Sequence, residues 1–125
     1  MVRHNRVFKC EMDGSDVAVV IPQGDLLSFR YQDVHLESNL VLTFLDQKNI
    51  TGLVLDLSQV PLLGSVMVGS LLKFARRVTD RKGKAAFCCA SPEMLKVLDT
   101  MNLRSVWPYY ETRKEAINAV RASQN

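Results

Sequence analysis

No stretch of roughly 18 apolar residues occurs in this chain, so it offers no helix built to cross a bilayer. The opening Met1-Val2-Arg3-His4-Asn5-Arg6 is basic, but no apolar segment of about 7–15 residues follows it, and a secretory signal is not expected. Cysteine is scarce. Cys10, Cys88 and Cys89 form an odd set without a CxxC pair, which excludes a disulfide framework and a zinc spacing. They read as small buried apolar residues of a reducing, cytoplasmic compartment, with the adjacent Cys88 and Cys89 pointing to opposite faces of a strand. Histidine is scarcer still, with only His4 and His35. His35 falls at a helix start and is expected at the surface, and Ser65 has no histidine within local reach to act as its base. Phosphate loops of the GxxxxGK[ST] and GxGxxG kinds, HExxH and GxSxG are all missing. Charge of one sign is also lacking. Sixteen basic against thirteen acidic residues leave +3, without the strong basic bias of a nucleic-acid binder. These absences point away from an enzyme, a cofactor, a metal, direct nucleic-acid contact and membrane insertion.

What is present is enough for one core. The chain has 125 residues, 47% of them apolar, and one domain is expected over residues 3–122. Val7 to Met12 alternates like an edge strand, Asp13-Gly14-Ser15-Asp16 is a turn, and Val17 to Ile21 is continuously apolar, as in a strand covered on both faces. A polar connection runs from Gln23 to Gln32. A helix is predicted from Asp33 to Lys48, with Leu36, Leu40, Val41, Phe44 and Leu45 facing inward and Asn49 as its stop. Ile50 to Leu57 reads as a strand.

A second helix is predicted from Ser65 to Arg81, packed through Met67, Val68, Leu71, Leu72, Ala75 and Val78 and ended by Gly83. Its basic second half (Lys73, Arg76, Arg77, Arg81, Lys82, Lys84) suits the negative end of the helix dipole, or else an acid-binding patch. Ala85 to Cys89 is a short apolar strand. Ser91-Pro92 starts a third helix, Ser105 to Tyr110 is extended, and Thr112-Arg113-Lys114-Glu115 is a capping box for a last helix. The order β-β-α-β-α-β-α-β-α implies an α/β fold: a mixed, largely parallel sheet of about five strands with about four helices.

In open sheets of this kind function gathers past the carboxyl ends of strands, and the unit from Val54 to Leu72 is such a place. Val54-Leu55-Asp56-Leu57-Ser58-Gln59-Val60, followed by Gly64-Ser65-Val66-Met67-Val68-Gly69-Ser70-Leu71-Leu72, resembles the signature of STAS domains, the bacterial anti-sigma-factor antagonists and their relatives. The family pattern is an apolar strand ending near Asp or Asn, a short loop, then Asp-Ser-Ser-Gly-Leu-Gly and an apolar helix. The likeness continues through Phe87 to Pro92, Leu98 to Leu103 and Glu115-Ala116. In this register Ser65 falls on the family's phosphorylated serine or threonine and Gly69 on its second glycine. Gly64 stands where Asp is usual, and Val66 and Met67 where Ser and Gly are usual. In Gly24-Asp25-Leu26-Leu27, Leu27 replaces a second acid of the family's Gly-x-Leu-Asp.

The resemblance implies a non-catalytic regulatory module of transcription that binds an anti-sigma factor/serine-protein kinase and is switched by phosphorylation. The phosphoacceptor would be Ser65, and the partner surface Gly64, Ser65, Val66, Val68 and Gly69. Without the usual acids, Ser65 reads either as that switch or only as a helix N-cap. Alternatives are a STAS subunit docking on a stress-signalling scaffold or a transporter ATPase, and, from another class, a small nucleotide-binding protein or enzyme. Val66 and Trp107 read as packing residues.

Overall fold

The computed structural model describes residues 3–4, 7–23 and 31–122. Among these, six strands form one sheet in chain order: β1 Arg3–His4, β2 Phe8–Asp13, β3 Val17–Pro22, β4 Gly52–Asp56, β5 Lys84–Cys88 and β6 Tyr109–Tyr110. The first three are antiparallel neighbours, and β3 to β6 run parallel. Four helices connect or follow them: α1 Tyr31–Leu45, α2 Ser65–Thr79, α3 Pro92–Thr100 and α4 Arg113–Ala122. The predicted mixed, largely parallel architecture is therefore the observed one, extended by the two-residue β1.

The continuous apolar run of β3 is buried at all six positions, because the sheet is covered on both faces. Ala18 and Val20 enter the larger core beneath α1, α2 and α3, whereas Val17, Val19 and Ile21 enter a smaller one beneath α4. The alternation follows the strand period of two.

Helix α1 corrects the expected face. Leu36 is 62% exposed and Leu40 is 42% exposed. Val41, Phe44 and Leu45 face inward as expected, and Val34 and Ser38 take the inward positions of the first two turns. Polar anchors set that rotation. The Glu37 carboxylate accepts the backbone N–H groups of Val7 (2.8 Å) and Phe8 (3.2 Å), and the buried Ser38 and Ser70 hydroxyls lie 2.8 Å apart between α1 and α2. Ser38 donates its proton to the Val34 carbonyl at 2.7 Å, which leaves Ser70 as the donor to Ser38.

Three other expectations change. Helix α2 ends at Thr79, and Lys82, not Gly83, takes the left-handed backbone (φ 70°) that turns the chain. Gly83 is needed for close approach, since a Cβ there would lie 2.5 Å from Val78 Cγ1 and 2.7 Å from the Thr51 carbonyl oxygen. The expected extended segment from Ser105 is a 3-10 turn over Leu103–Ser105, closed by Val106 and Trp107 N–H groups on the Leu103 carbonyl, so only Tyr109–Tyr110 remains strand. Cys89 adopts φ 63°, which breaks the strand alternation and brings its thiol beside that of Cys88.

The caps read from sequence form as local motifs. Ser91 accepts the Met94 N–H at 3.0 Å with Pro92 opening α3, and Thr112 Oγ1 accepts the Glu115 N–H at 3.1 Å while donating to the Glu115 carboxylate at 2.9 Å. Trp107 is buried edge-on against Phe87, as expected of a packing residue.

Candidate functional site

Strand β4 ends at Asp56, and the chain then crosses to α2 through a loop held at several points. The Asp56 carboxylate accepts the Ser58 N–H at 2.9 Å, Val60 and Leu63 are buried, and the Pro61 carbonyl accepts the Ser91 hydroxyl. These anchors fix where α2 begins. Gly64 is the N-cap, in ordinary extended backbone (φ −76°, ψ 171°), and its carbonyl accepts the Val68 N–H at 3.0 Å. Ser65 is the first helical residue.

Its position rules out the N-cap reading of Ser65. No side chain caps α2, and the Ser65 hydroxyl makes no hydrogen bond to any described residue. Ser65 is exposed, and so are the apolar side chains of Leu62 (43%) and Val66 (46%) on either side of it. Val66 is thus not the packing residue the sequence suggested. The helix N-terminus adds unpaired N–H groups and a partial positive charge to this surface.

Beside Ser65 a groove of about 160 Å³ separates α2 from α1. His35 and Lys73 line it, with the Ser38–Ser70 pair at its floor. Gly69 also lines it, and a Cβ at Gly69 would meet nothing within 4 Å. His35 is exposed, as expected. Of the sequence-predicted partner surface, Gly64, Ser65 and Val66 share the exposed start of α2, Gly69 is half-buried, and Val68 points into the main core. The Gly24–Leu27 segment lies outside the described residues. Leu62 was not singled out from sequence, and an apolar residue in a loop after proline gives no periodic signal that could have found it.

Two arginines of the basic cluster, Arg77 in α2 and Arg81 just after it, are committed elsewhere. The Arg77 guanidinium holds the Asp46 carboxylate at 2.8 and 2.9 Å, and Arg81 donates to the carbonyls of Leu45 and Ile50. These arginines stitch α2 to the end of α1, where the last helical carbonyls lack intrahelical partners. The structural reading of that cluster therefore holds for Arg77 and Arg81.

On the opposite face of the sheet lies an ion network absent from the sequence reading. Asp56 is 1% exposed, and Arg113 Nε donates to its carboxylate at 2.7 Å while Arg113 Nη1 donates to Glu11 at 2.9 Å. Lys9 meets the other Glu11 oxygen at 3.2 Å. Partial burial works to raise the Glu11 pKa, but hydrogen bonds and charge from Lys9 and Arg113 overcome it and leave the carboxyl below its ordinary range. Burial likewise opposes the charge on Arg113, and its two carboxylate partners still raise its pKa. The network locks the start of α4 to the end of β4, directly before the loop that leads to Ser65.

Gly64 offers a clean stability test. Its backbone is open to any residue, and a Cβ there would meet nothing within 4 Å. Gly64→Asp supplies the missing cap, a favourable charge at the helix start and a stiffer unfolded chain, for a gain of about 1 kcal/mol. Urea denaturation is expected to show a higher midpoint at unchanged slope. A lower midpoint would contradict the geometry given for this cap.

A model of the STAS domain family matches residues 12–116. No curated protein sequence matches the chain. Among solved structures, the anti-sigma factor antagonist SpoIIAA in its unphosphorylated form is similar at 23% identity and TM-score 0.74, over 92% of this chain and 96% of that one. The Bacillus cell fate determinant SpoIIAA in its phosphorylated form is similar at 24% identity and TM-score 0.69, over 90% and 98%. An anti-sigma factor antagonist from Mycobacterium paratuberculosis is similar at 25% identity and TM-score 0.70, over 91% and 92%. With the family model spanning β3 to β6, α1 to α3, the Ser65 turn and the start of α4, the chain belongs to the STAS domain family.

Proposed function

We propose that this protein is a non-catalytic regulatory module that binds an anti-sigma factor of the serine-kinase kind, and that phosphorylation of Ser65 releases the partner. One observation carries the reading. An exposed hydroxyl with no partner among the described residues stands at the first turn of α2, between two exposed apolar side chains. A kinase can reach it without dismantling a cap, and Leu62 and Val66 supply apolar contact area for a partner. A phosphate there adds a charge of about −1.5 to −2. In the free protein the helix N-terminus and water accommodate it. In a complex it must be desolvated among apolar contacts, so the modification acts on the complex far more than on the fold.

The test is incubation with kinase-type anti-sigma factors and ATP, followed by intact mass and binding measurements. One phosphate is expected, and it is absent from Ser65→Ala. Ser65→Asp is expected to weaken the complex by about 100-fold, or roughly 2.7 kcal/mol. Binding of a kinase partner that is indifferent to Ser65→Asp would refute the switch and leave an unregulated binding module.

A further inference from the structure

The carboxyl ends of β4 and β5 bring Asp56, Cys88 and Cys89 together, with both thiol sulfurs and a carboxylate oxygen within 4.8 Å of one another. Adjacent cysteines in a regular strand would diverge across the sheet. Here Cys89 takes a left-handed backbone (φ 63°), and the two sulfurs lie within 4.8 Å of one another. A non-glycine residue in this region is uncommon, and such conformations gather at functional sites. Cys88 is buried in the smaller core, while Cys89 is partly exposed and lines an open groove of about 370 Å³ beneath the Ser58–Pro61 loop. An oxidant therefore has a path to one sulfur, and that sulfur has a second one waiting behind it.

We propose that Cys88 and Cys89 are a vicinal dithiol that a hydroperoxide oxidises reversibly to a disulfide. The Cys89 sulfur, once it has lost its proton, attacks the outer peroxide oxygen and the O–O bond breaks; since burial raises that thiol's pKa, the step runs faster as pH rises. A sulfenic acid remains, and the alkoxide leaves with a proton as alcohol. The Cys88 sulfur then attacks the Cys89 sulfur, the S–O bond breaks, and hydroxide leaves with the Cys88 proton as water. Two electrons pass from the two thiols to the peroxide.

Neighbouring groups favour this outcome over a metal site. Burial pushes both thiols above the ordinary thiol range, the nearby Asp56 charge adds to the shift, and Arg113 already holds that carboxylate. A neutral disulfide suits the apolar core, whereas a dithiolate holding a cation does not. Adjacent Cα atoms about 3.8 Å apart fall short of the usual disulfide span of roughly 4.4–6.8 Å, so the bridge is strained and readily reduced, as regulatory disulfides are. Cys10 is no rival partner, because it sits in the main core on the other side of the sheet.

The experiment treats the full chain with hydrogen peroxide, then denatures and alkylates it. The thiols available are expected to fall from three to one, to recover with dithiothreitol, and to fall equally by two in Cys10→Ser. Cys89→Ser, which alters the more exposed thiol, is expected to form no intrachain bridge. Untreated protein is expected to take up one phenylarsine oxide, with loss of water, only when both Cys88 and Cys89 are present. Three thiols surviving peroxide, or their loss into covalent dimers or through Cys10, overturns the proposal.

Discussion

Arg113→Ala is expected to destabilise the fold by about 3 kcal/mol. Removing one member of a buried ion pair costs roughly 3–5 kcal/mol because the other charge is left unmatched, and the partial exposure of Arg113 places this site at the lower end. Among the described residues Asp56 would keep only the Ser58 N–H, in a position where its side chain is 2% exposed. A chain of 125 residues is typically stable by about 6–19 kcal/mol at roughly 0.05–0.15 per residue, so the loss is large. Asp56→Asn combined with Arg113→Leu is expected to be less destabilised than Arg113→Ala alone, since the double change leaves no buried charge and keeps an acceptor for Ser58. Urea denaturation of the two variants checks this. A double variant less stable than Arg113→Ala would show that an unmatched Asp56 charge is not what the single change costs.

The same network sets a pH dependence. Glu11 has a lowered pKa in the folded state, so its ion pairs contribute stability above its unfolded pKa of about 4.3. Asp16 behaves alike, through its hydrogen bond from Arg121 and that guanidinium's charge, against slight burial. The Glu11 contribution is lost as pH falls from that value, and the Asp16 contribution as pH falls from about 3.9, each through its folded pKa, and stability is expected to drop there. In Arg113→Ala the Glu11 part of the drop shrinks to what Lys9 supports.

The second large effect is expected at Phe74. This α2 residue is fully buried and meets Phe8 edge-on, with ring centroids 5.1 Å apart at 79°. Phe74→Ala removes a large apolar side chain from a close-packed site, at a cost of about 3–5 kcal/mol that includes the ring pair. At a few degrees per kcal/mol for a chain of this size, melting is expected on the order of 10–20 °C lower. Phe74→Leu keeps most of the volume and is expected to recover more than half of the loss. The consequence reaches Ser65, because Phe74 seats against β2 the helix whose first turn carries that hydroxyl. A melting curve unchanged by Phe74→Ala would mean that α2 is held by its ends alone.

Local features were legible because their causes are local. Ser91 caps α3 and Thr112 caps α4 through partners three residues away, and β3 announced two covered faces by its unbroken apolar run. The inward face of α1 was legible at Val41, Phe44 and Leu45 but not in its first half. Leu36 and Leu40 match the apolar period, but Glu37 tethers the helix to β2 and Ser38 binds Ser70, 32 residues later. Likewise Arg113 finds Asp56 across 57 residues and Glu11 across 102, distances at which no spacing rule operates.

The same division applies to the Ser65 turn. Sequence alone determined that an apolar strand, a loop and an amphipathic helix meet there, in the register of the family signature, because hydrophobic periodicity and turn residues act over a few positions. Tertiary structure alone decided that Gly64 is the cap, that Ser65 stands exposed without a partner among the described residues, and that Val68 is buried while Val66 is exposed. Those outcomes depend on how α2 is rotated and anchored against the sheet and α1. That rotation is set by side chains from distant parts of the chain, which only folding brings together.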